Sequence, residues 1–155
     1  MLQEGEVCQY AAFVEKGLLR SYSIDKKGNE HILQFAMENW WISDLYSFYS
    51  GEPSSYLIDA LEDTELLLIK KDRYEELLKA IPSMERYFRL LLQNNLIATQ
   101  RRLNDKLSLS AEDLYRTLIE TCDNIPQRVP QHMIASFLGI TRETLSRIRK
   151  QMASK

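Results

Sequence analysis

Neither glycine nor proline interrupts Ser83 to Leu107, and this stretch constrains the fold more than any other. Met84, Tyr87, Phe88, Leu91, Asn95, Ala98 and Arg102 recur every three or four residues, and Leu92, Leu96, Thr99 and Leu103 form an adjoining stripe. That spacing predicts one long helix with more than one side to bury. One side suits the body of its own chain, and the second suits a partner copy in a dimer. An internal core helix in a monomer is the alternative.

Ahead of this helix the pattern is β. Tyr10 to Val14 and Leu18 to Ile24 are rich in aromatic and branched residues. Lys26-Lys27-Gly28-Asn29 is a turn signal and Glu30 to Met37 resumes a strand, which predicts a hairpin. Tyr56 to Leu61 and Glu65 to Ile69, separated by Glu62-Asp63-Thr64, read as a second hairpin. Short strands at this spacing favour a small antiparallel sandwich or barrel. Between the pairs lies Trp40 to Ser55, aromatic and irregular, with Gly51 and Pro53; long inserts of this kind are often functional.

From Asp72 onward the periodicity is helical. Asp72 is placed to cap Arg73 to Ala80, Pro82 ends that helix, and Ser83 is placed to cap the long one. Ser110 with Asp113 three residues on resembles a capping box for Ala111 to Cys122, which Asp123-Asn124-Ile125-Pro126 then closes. Two domains are expected, 1–107 and 108–155, joined through the long helix.

With 155 residues, 45% of them apolar and 27% charged, the chain has core enough to need neither metal nor disulfide. Its longest apolar run, Leu66 to Ile69, is far short of the roughly 20 residues a membrane helix requires. Residues 1–6 have neither the basic nor the apolar region of a signal peptide. Cys8 and Cys122 belong to no pairing or metal pattern, and a reducing cytoplasm is the expected location. No Ser-His-Asp or Cys-His grouping and no phosphate loop is present, so no catalytic activity is expected.

Charge is unevenly spread. Residues 125–155 carry Arg128, Arg142, Arg147, Arg149, Lys150 and Lys155 against Glu143 alone, a net +5 that leaves −7 on the remainder. A basic end on an acidic body suggests a polyanionic partner for that end.

The same segment carries the most specific pattern in the chain. Two short helices crossing steeply need a small residue at the close approach, a glycine in the turn and apolar residues at fixed inward positions. Ala135 is the small residue, and Gly139 falls where positive φ is wanted. Ile134, Leu138, Ile140, Leu145 and Ile148 take the inward positions. Thr141 is placed to cap the second helix, Arg142, Glu143, Ser146, Arg147 and Lys150 point away from the core, and the first helix begins after Val129-Pro130. A helix-turn-helix binding DNA is the first reading; a helical hairpin for protein contacts is the alternative.

From Leu138 to Lys150, Leu-Gly-Ile-Thr-Arg-Glu-Thr-Leu-Ser-Arg-Ile-Arg-Lys resembles the turn and recognition helix of the Crp/Fnr transcription regulators. Gly5-Glu6, Phe13 to Gly17, Glu62 to Glu65 and Pro82-Ser83 resemble other parts of that family along nearly the whole chain. The resemblance implies an α+β protein: an N-terminal antiparallel, jelly-roll-like β-roll of the cyclic-nucleotide-binding kind, a dimerisation helix, and a C-terminal winged-helix-like helix-turn-helix. It further implies a homodimer that binds DNA, with RNA polymerase as a further partner. Relatives carry roughly 25 to 30 residues ahead of this point, so the chain reads as a truncated or a naturally short form. It ends at Ser154-Lys155, which leaves the wing short or absent.

By the same resemblance, Arg142, Glu143 and Arg147 reach base edges; arginine can pair with guanine O6/N7 and glutamate can accept from cytosine N4. Thr141, Thr144, Gln131 and His132 fall where phosphate contacts are expected, with Ser146 and Lys150 on the same face. The effector site carries over differently. Family members that bind cyclic AMP have a Gly-Glu pair for the ribose and an Arg-Ser pair for the phosphate, where this chain has Ser43-Asp44 and Ser54-Ser55. Without the arginine a cyclic phosphate is desolvated with no counter-charge, at a cost of several kcal/mol. Cyclic AMP is therefore not the expected effector.

Two cysteines do not suffice for an iron-sulfur cluster, which wants about four. His31 in a strand and His132 in the helix-turn-helix are expected to be structural or phosphate-facing rather than haem ligands, and Cys8 an ordinary half-buried residue. No cofactor is expected. Trp40, Trp41, Tyr46, Phe48, Tyr49 and Tyr56 read first as core. Their second reading is a pocket for an unknown apolar or aromatic small-molecule effector, with Trp41, Ser43, Asp44, Ser54, Ser55 and Tyr56 as its candidate lining. The rival function is a small-molecule-sensing β-roll protein whose helical C-terminal domain contacts another protein.

Overall fold

The computed structural model describes residues 1–122 and 124–153. It forms two compact units, Met1–Tyr87 and Phe88–Lys155, with the division inside the long helix, ahead of the boundary read at 107. Asp123 of the expected closing turn and the terminal Ser154-Lys155 lie outside the described residues.

The first unit contains β1 (Tyr10–Lys16), β2 (Leu19–Ile24), β3 (Glu30–Ala36), β4 (Trp41–Ile42), α1 (Leu45–Ser50), β5 (Leu57–Ala60), β6 (Glu65–Lys70) and α2 (Lys71–Ala80). Six strands make two three-stranded antiparallel sheets, β4-β1-β6 and β3-β2-β5. The β2–β3 hairpin is as its sequence predicts. Asp25 closes it by accepting the Lys27 and Asn29 amides at 2.8 and 2.9 Å, and Gly28 sits at φ 83°.

The second expected hairpin does not form. β5 pairs with β2 and β6 with β1, so Glu62-Asp63-Thr64 carries the chain from one sheet to the other. β1 and β2 likewise lie in different sheets, and their crossing at Gly17 meets the first one. A Cβ on Gly17, at φ +99°, would stand 2.6 Å from Thr64 Oγ1 and 2.7 Å from the Asp63 carbonyl. Leu61 N donates to Leu18 O at 2.8 Å beside this corner. Two bent ribbons thus run side by side and close a roll over Ala12, Val14, Leu18, Leu19, Ile42 and Ile58, all fully buried. Residues ahead of β1 add to the second sheet: Leu2 and Ile58 exchange backbone hydrogen bonds at 3.0 and 2.9 Å.

The insert is more regular than its sequence suggests, since it contains β4 and α1. Two caps account for the helix: Asp44 accepts the Ser47 amide at 3.3 Å, and Gly51 ends it at φ 82°. Asp72 does not cap α2, which already starts at Lys71; its carboxylate takes Lys70 Nζ at 2.9 Å. Ser83 is not a cap either, because α3 (Pro82–Ser108) starts with proline at its first position, where the missing N–H is not needed.

The second unit holds most of α3, then α4 (Ala111–Thr121), α5 (Ile125–Arg128), α6 (Gln131–Leu138) and α7 (Arg142–Ala153). Ser110 caps α4 as expected: its Oγ accepts the Asp113 amide at 3.2 Å and donates to Asp113 Oδ2 at 2.6 Å. Where a closing turn was expected the chain makes the short helix α5, which buries Ile125. α4 packs on α6 and α7, and Tyr115, Leu118, Ile134, Ala135, Leu138, Leu145 and Ile148 are buried. Ile140, read as inward, is half-buried. Along α3 the stripe read as a second apolar face is open: Leu96 and Leu103 are each 60% exposed, and Leu107 is more exposed still. No helix among the described residues is long and apolar enough to cross a membrane.

Candidate nucleic-acid interface

The turn between α6 and α7 is built from local hydrogen bonds. Gly139, at φ 74°, ends α6, and Ile140 N reaches back to Ala135 O at 3.0 Å. Because Ala135 is small and buried, α7 can approach α6 at this point. Thr141 then caps α7: its Oγ1 accepts the Thr144 amide at 3.2 Å and donates to Thr144 Oγ1 at 3.0 Å. Both hydroxyls expected at phosphates are therefore engaged first in starting the helix.

α7 is sharply two-sided. Leu145 and Ile148 are buried one turn apart, while Glu143, Arg147 and Lys150, at i, i+4 and i+7, form the exposed stripe opposite. Arg142 is exposed in the first turn, Thr144 and Ser146 are half-buried on the flanks, and Gln131 and His132 are exposed at the start of α6. Helix start, turn and core thus hold two cations and one carboxylate in one presented stripe, with Arg142 exposed beside it in the first turn. Rigid presentation of arginines is what major-groove reading requires, because bidentate pairing tolerates little misplacement.

The candidate effector residues are arranged otherwise. Asp44 is 5% exposed and Ser54 3%, and they bond to each other: Ser54 Oγ donates to Asp44 Oδ2 at 2.6 Å. Ser47 Oγ donates to Glu52 O at 2.6 Å and accepts the buried Cys8 amide at 2.9 Å, while Ser43 Oγ donates to Tyr10 O at 3.2 Å. Cys8 is buried rather than half-buried. Ser55 and Tyr56 are exposed. Trp41 lies on the other face of its strand from the buried Ile42, packs on Phe13 with ring centroids 5.4 Å apart, and donates from Nε1 to Tyr87 Oη at 2.9 Å. The polar groups of the insert therefore satisfy one another and hold α1 in place. Of the aromatic set, Phe48 is core, whereas Tyr46 and Tyr49 are exposed.

A charge cluster built on one buried arginine in the roll was not anticipated. Arg20 on β2 is 7% exposed, pairs through Nε with Asp59 at 2.8 Å and through Nη1 with Glu30, and lies over the Tyr22 ring at 3.9 Å. Burial alone would lower the Arg20 pKa; hydrogen bonds to Asp59 and Glu30 more than reverse this. Tyr22 is raised by burial and by Asp59. An arginine directly after Leu18-Leu19 and two residues before Tyr22, inside a strand, was the available signal. No group of three or more His, Cys, Asp and Glu able to hold a metal occurs among the described residues.

Fold and site together define a β-roll followed by a helix-turn-helix. Residues 1–80 match the cyclic nucleotide-binding domain family. The cAMP-activated global transcriptional regulator CRP of Escherichia coli O157:H7 is 20% identical over 98% of this chain and 77% of its own length. FixK2 from Bradyrhizobium japonicum superposes with a TM-score of 0.78 at 20% identity, covering 99% of this chain and 79% of that one. A CRP/FNR-family transcriptional regulator from Thermus thermophilus gives 0.76 at 19%, covering 99% and 81%. The chain belongs to the cyclic nucleotide-binding domain family, and its fold is that of the CRP/FNR regulators.

Proposed function

We propose that this chain is a cytoplasmic, homodimeric, sequence-specific DNA-binding transcription regulator with no catalytic activity of its own, acting with RNA polymerase. The observation that carries the reading is the two-sided α7: Glu143, Arg147 and Lys150 exposed in a stripe, with Leu145 and Ile148 buried behind it. The local +5 gives such a face the long-range attraction that DNA binding uses. Dimerisation is supported by the leucines at 96, 103 and 107, which α3 leaves in water within a single chain. Pairing there places two recognition helices on one face, to meet major grooves about one helical turn, roughly 34 Å, apart on a near-palindromic site.

Cyclic AMP is not the effector of this reading. The support for this is that Asp44 and Ser54, at the positions of the ribose and phosphate groups, bond to one another, and that no arginine stands beside Ser55. The test is selection of duplexes by the purified protein from a random pool, followed by titration of the winner and a scramble at one fixed salt. A palindromic consensus strongly preferred over the scramble is expected, with affinity falling steeply as salt rises. A folded dimer that enriches no sequence would overturn the proposal.

A further inference from the structure

α6 is gripped from two directions. One side, Ile134, Ala135 and Leu138, is buried where α6 meets α7 and α4. Another side carries Phe137, half-buried, and two cations from α3 lie over its ring: the Arg102 guanidinium at 5.2 Å from the centroid and the Lys106 ammonium at 5.8 Å. Arg102 and Lys106 are one helical turn apart, so they reach the same ring from one face of α3.

Like charges this close oppose one another. Partial burial holds the Arg102 pKa below its ordinary value, and the pKa of Lys106, an exposed residue, is lowered by partial desolvation and then by the Arg102 charge. The electron-rich face of the ring offsets part of that cost, most effectively where water is thin. A leucine at 137 would fill similar space without attracting either cation. Immediately after Phe137 come Leu138 and the Gly139 turn, with Ile140 N bonded back to α6 and Thr141 capping α7. A rotation of α6 about its own axis is therefore passed to α7.

We propose that Phe137, held by Arg102 and Lys106, is a positioning residue that sets the angle of the recognition helix to the long helix, and thereby the half-site spacing a dimer accepts. This rests on the DNA-binding reading above. The test uses the full chain on the selected palindrome, on palindromes with the spacer changed by a base pair or two, and on a single half-site. Wild-type protein is expected to prefer one spacer sharply. Phe137→Leu should keep half-site affinity within about twofold yet lose about tenfold in spacer preference, while Phe137→Trp retains it. The double variant Arg102→Gln with Lys106→Gln, which leaves α6 intact, should behave as Phe137→Leu does and carries the test if that variant misfolds. An unchanged spacer preference, or equal weakening on half-site and palindrome, overturns the positioning role alone. Wild-type protein that selects no DNA overturns the DNA-binding reading and this role with it.

Discussion

Replacing Gly17 with alanine isolates the corner where the chain passes twice between sheets. Two costs add. Positive φ is penalised for any L-residue by about 1 to 2 kcal/mol. The added Cβ would also stand 2.6 to 2.9 Å from Thr64 Oγ1, Asp63 O and Thr64 Cα, two of them backbone atoms that cannot swing aside. Overpacking of that kind costs about 1 to 3 kcal/mol, for a sum of about 2 to 5. Gly28→Ala is the control, because its φ is +83° and nothing lies within 4 Å of the new Cβ, so only the first cost applies. Both tryptophans, Trp40 and Trp41, lie in the first unit, and urea unfolding followed by their fluorescence reports on the roll. Gly17→Ala should lower the midpoint well beyond Gly28→Ala, with the slope unchanged. Equal midpoints for the two variants would refute the close approach as the reason for glycine at this corner.

Arg147→Ala should cost about 1 to 3 kcal/mol on the selected site and relax base preference at one position in each half-site; uniform loss on every sequence would assign Arg147 to phosphate instead. Leu103→Glu, in the exposed stripe of α3, should leave the far-UV spectrum intact and convert a dimer to a monomer in sedimentation; an unchanged mass would place the interface elsewhere. Asp25 is held below the usual carboxylate range by hydrogen bonds, chiefly from Asn29, so its contribution is present above its unfolded pKa of about 3.9 and lost as pH falls through the lower folded value. The stability gap between wild type and Asp25→Asn should therefore narrow on acidification below about pH 4, as read by urea midpoints across that range, and a gap that persists in acid would count against it.

What was legible in the sequence was what neighbours in sequence decide. Thr141 and Ser110 cap helices because a hydroxyl reaches the amide three residues on, and Gly139 ends α6 because a left-handed residue is cheapest as glycine. The exposed stripe of α7 follows from the helical period once Leu145 and Ile148 are inside. Sheet membership was not legible. β5 and β6 look like hairpin arms, but their pairing is satisfied by β2 and β1, far earlier in the chain. Comparable separation hid Arg20 with Asp59, and Phe137 with Arg102. Ser54 and Asp44 were read by position as candidate ligand groups; only their 2.6 Å hydrogen bond reveals that each is the other's partner.

The double crossing at Gly17 also bears on how the chain reaches its folded state. Leu19 pairs with Ala60 and Tyr10 with Lys70, so one sheet waits for β5 and the other for β6. Loop closures of that length are slow, whereas the backbone hydrogen bonds of each helix in the second unit, and the α6–α7 turn, close within a few residues. The two units therefore run on different clocks. The helical unit is expected to be ordered while the roll is still an open pair of ribbons, with Leu67 and Leu68 of β6 waiting on β1.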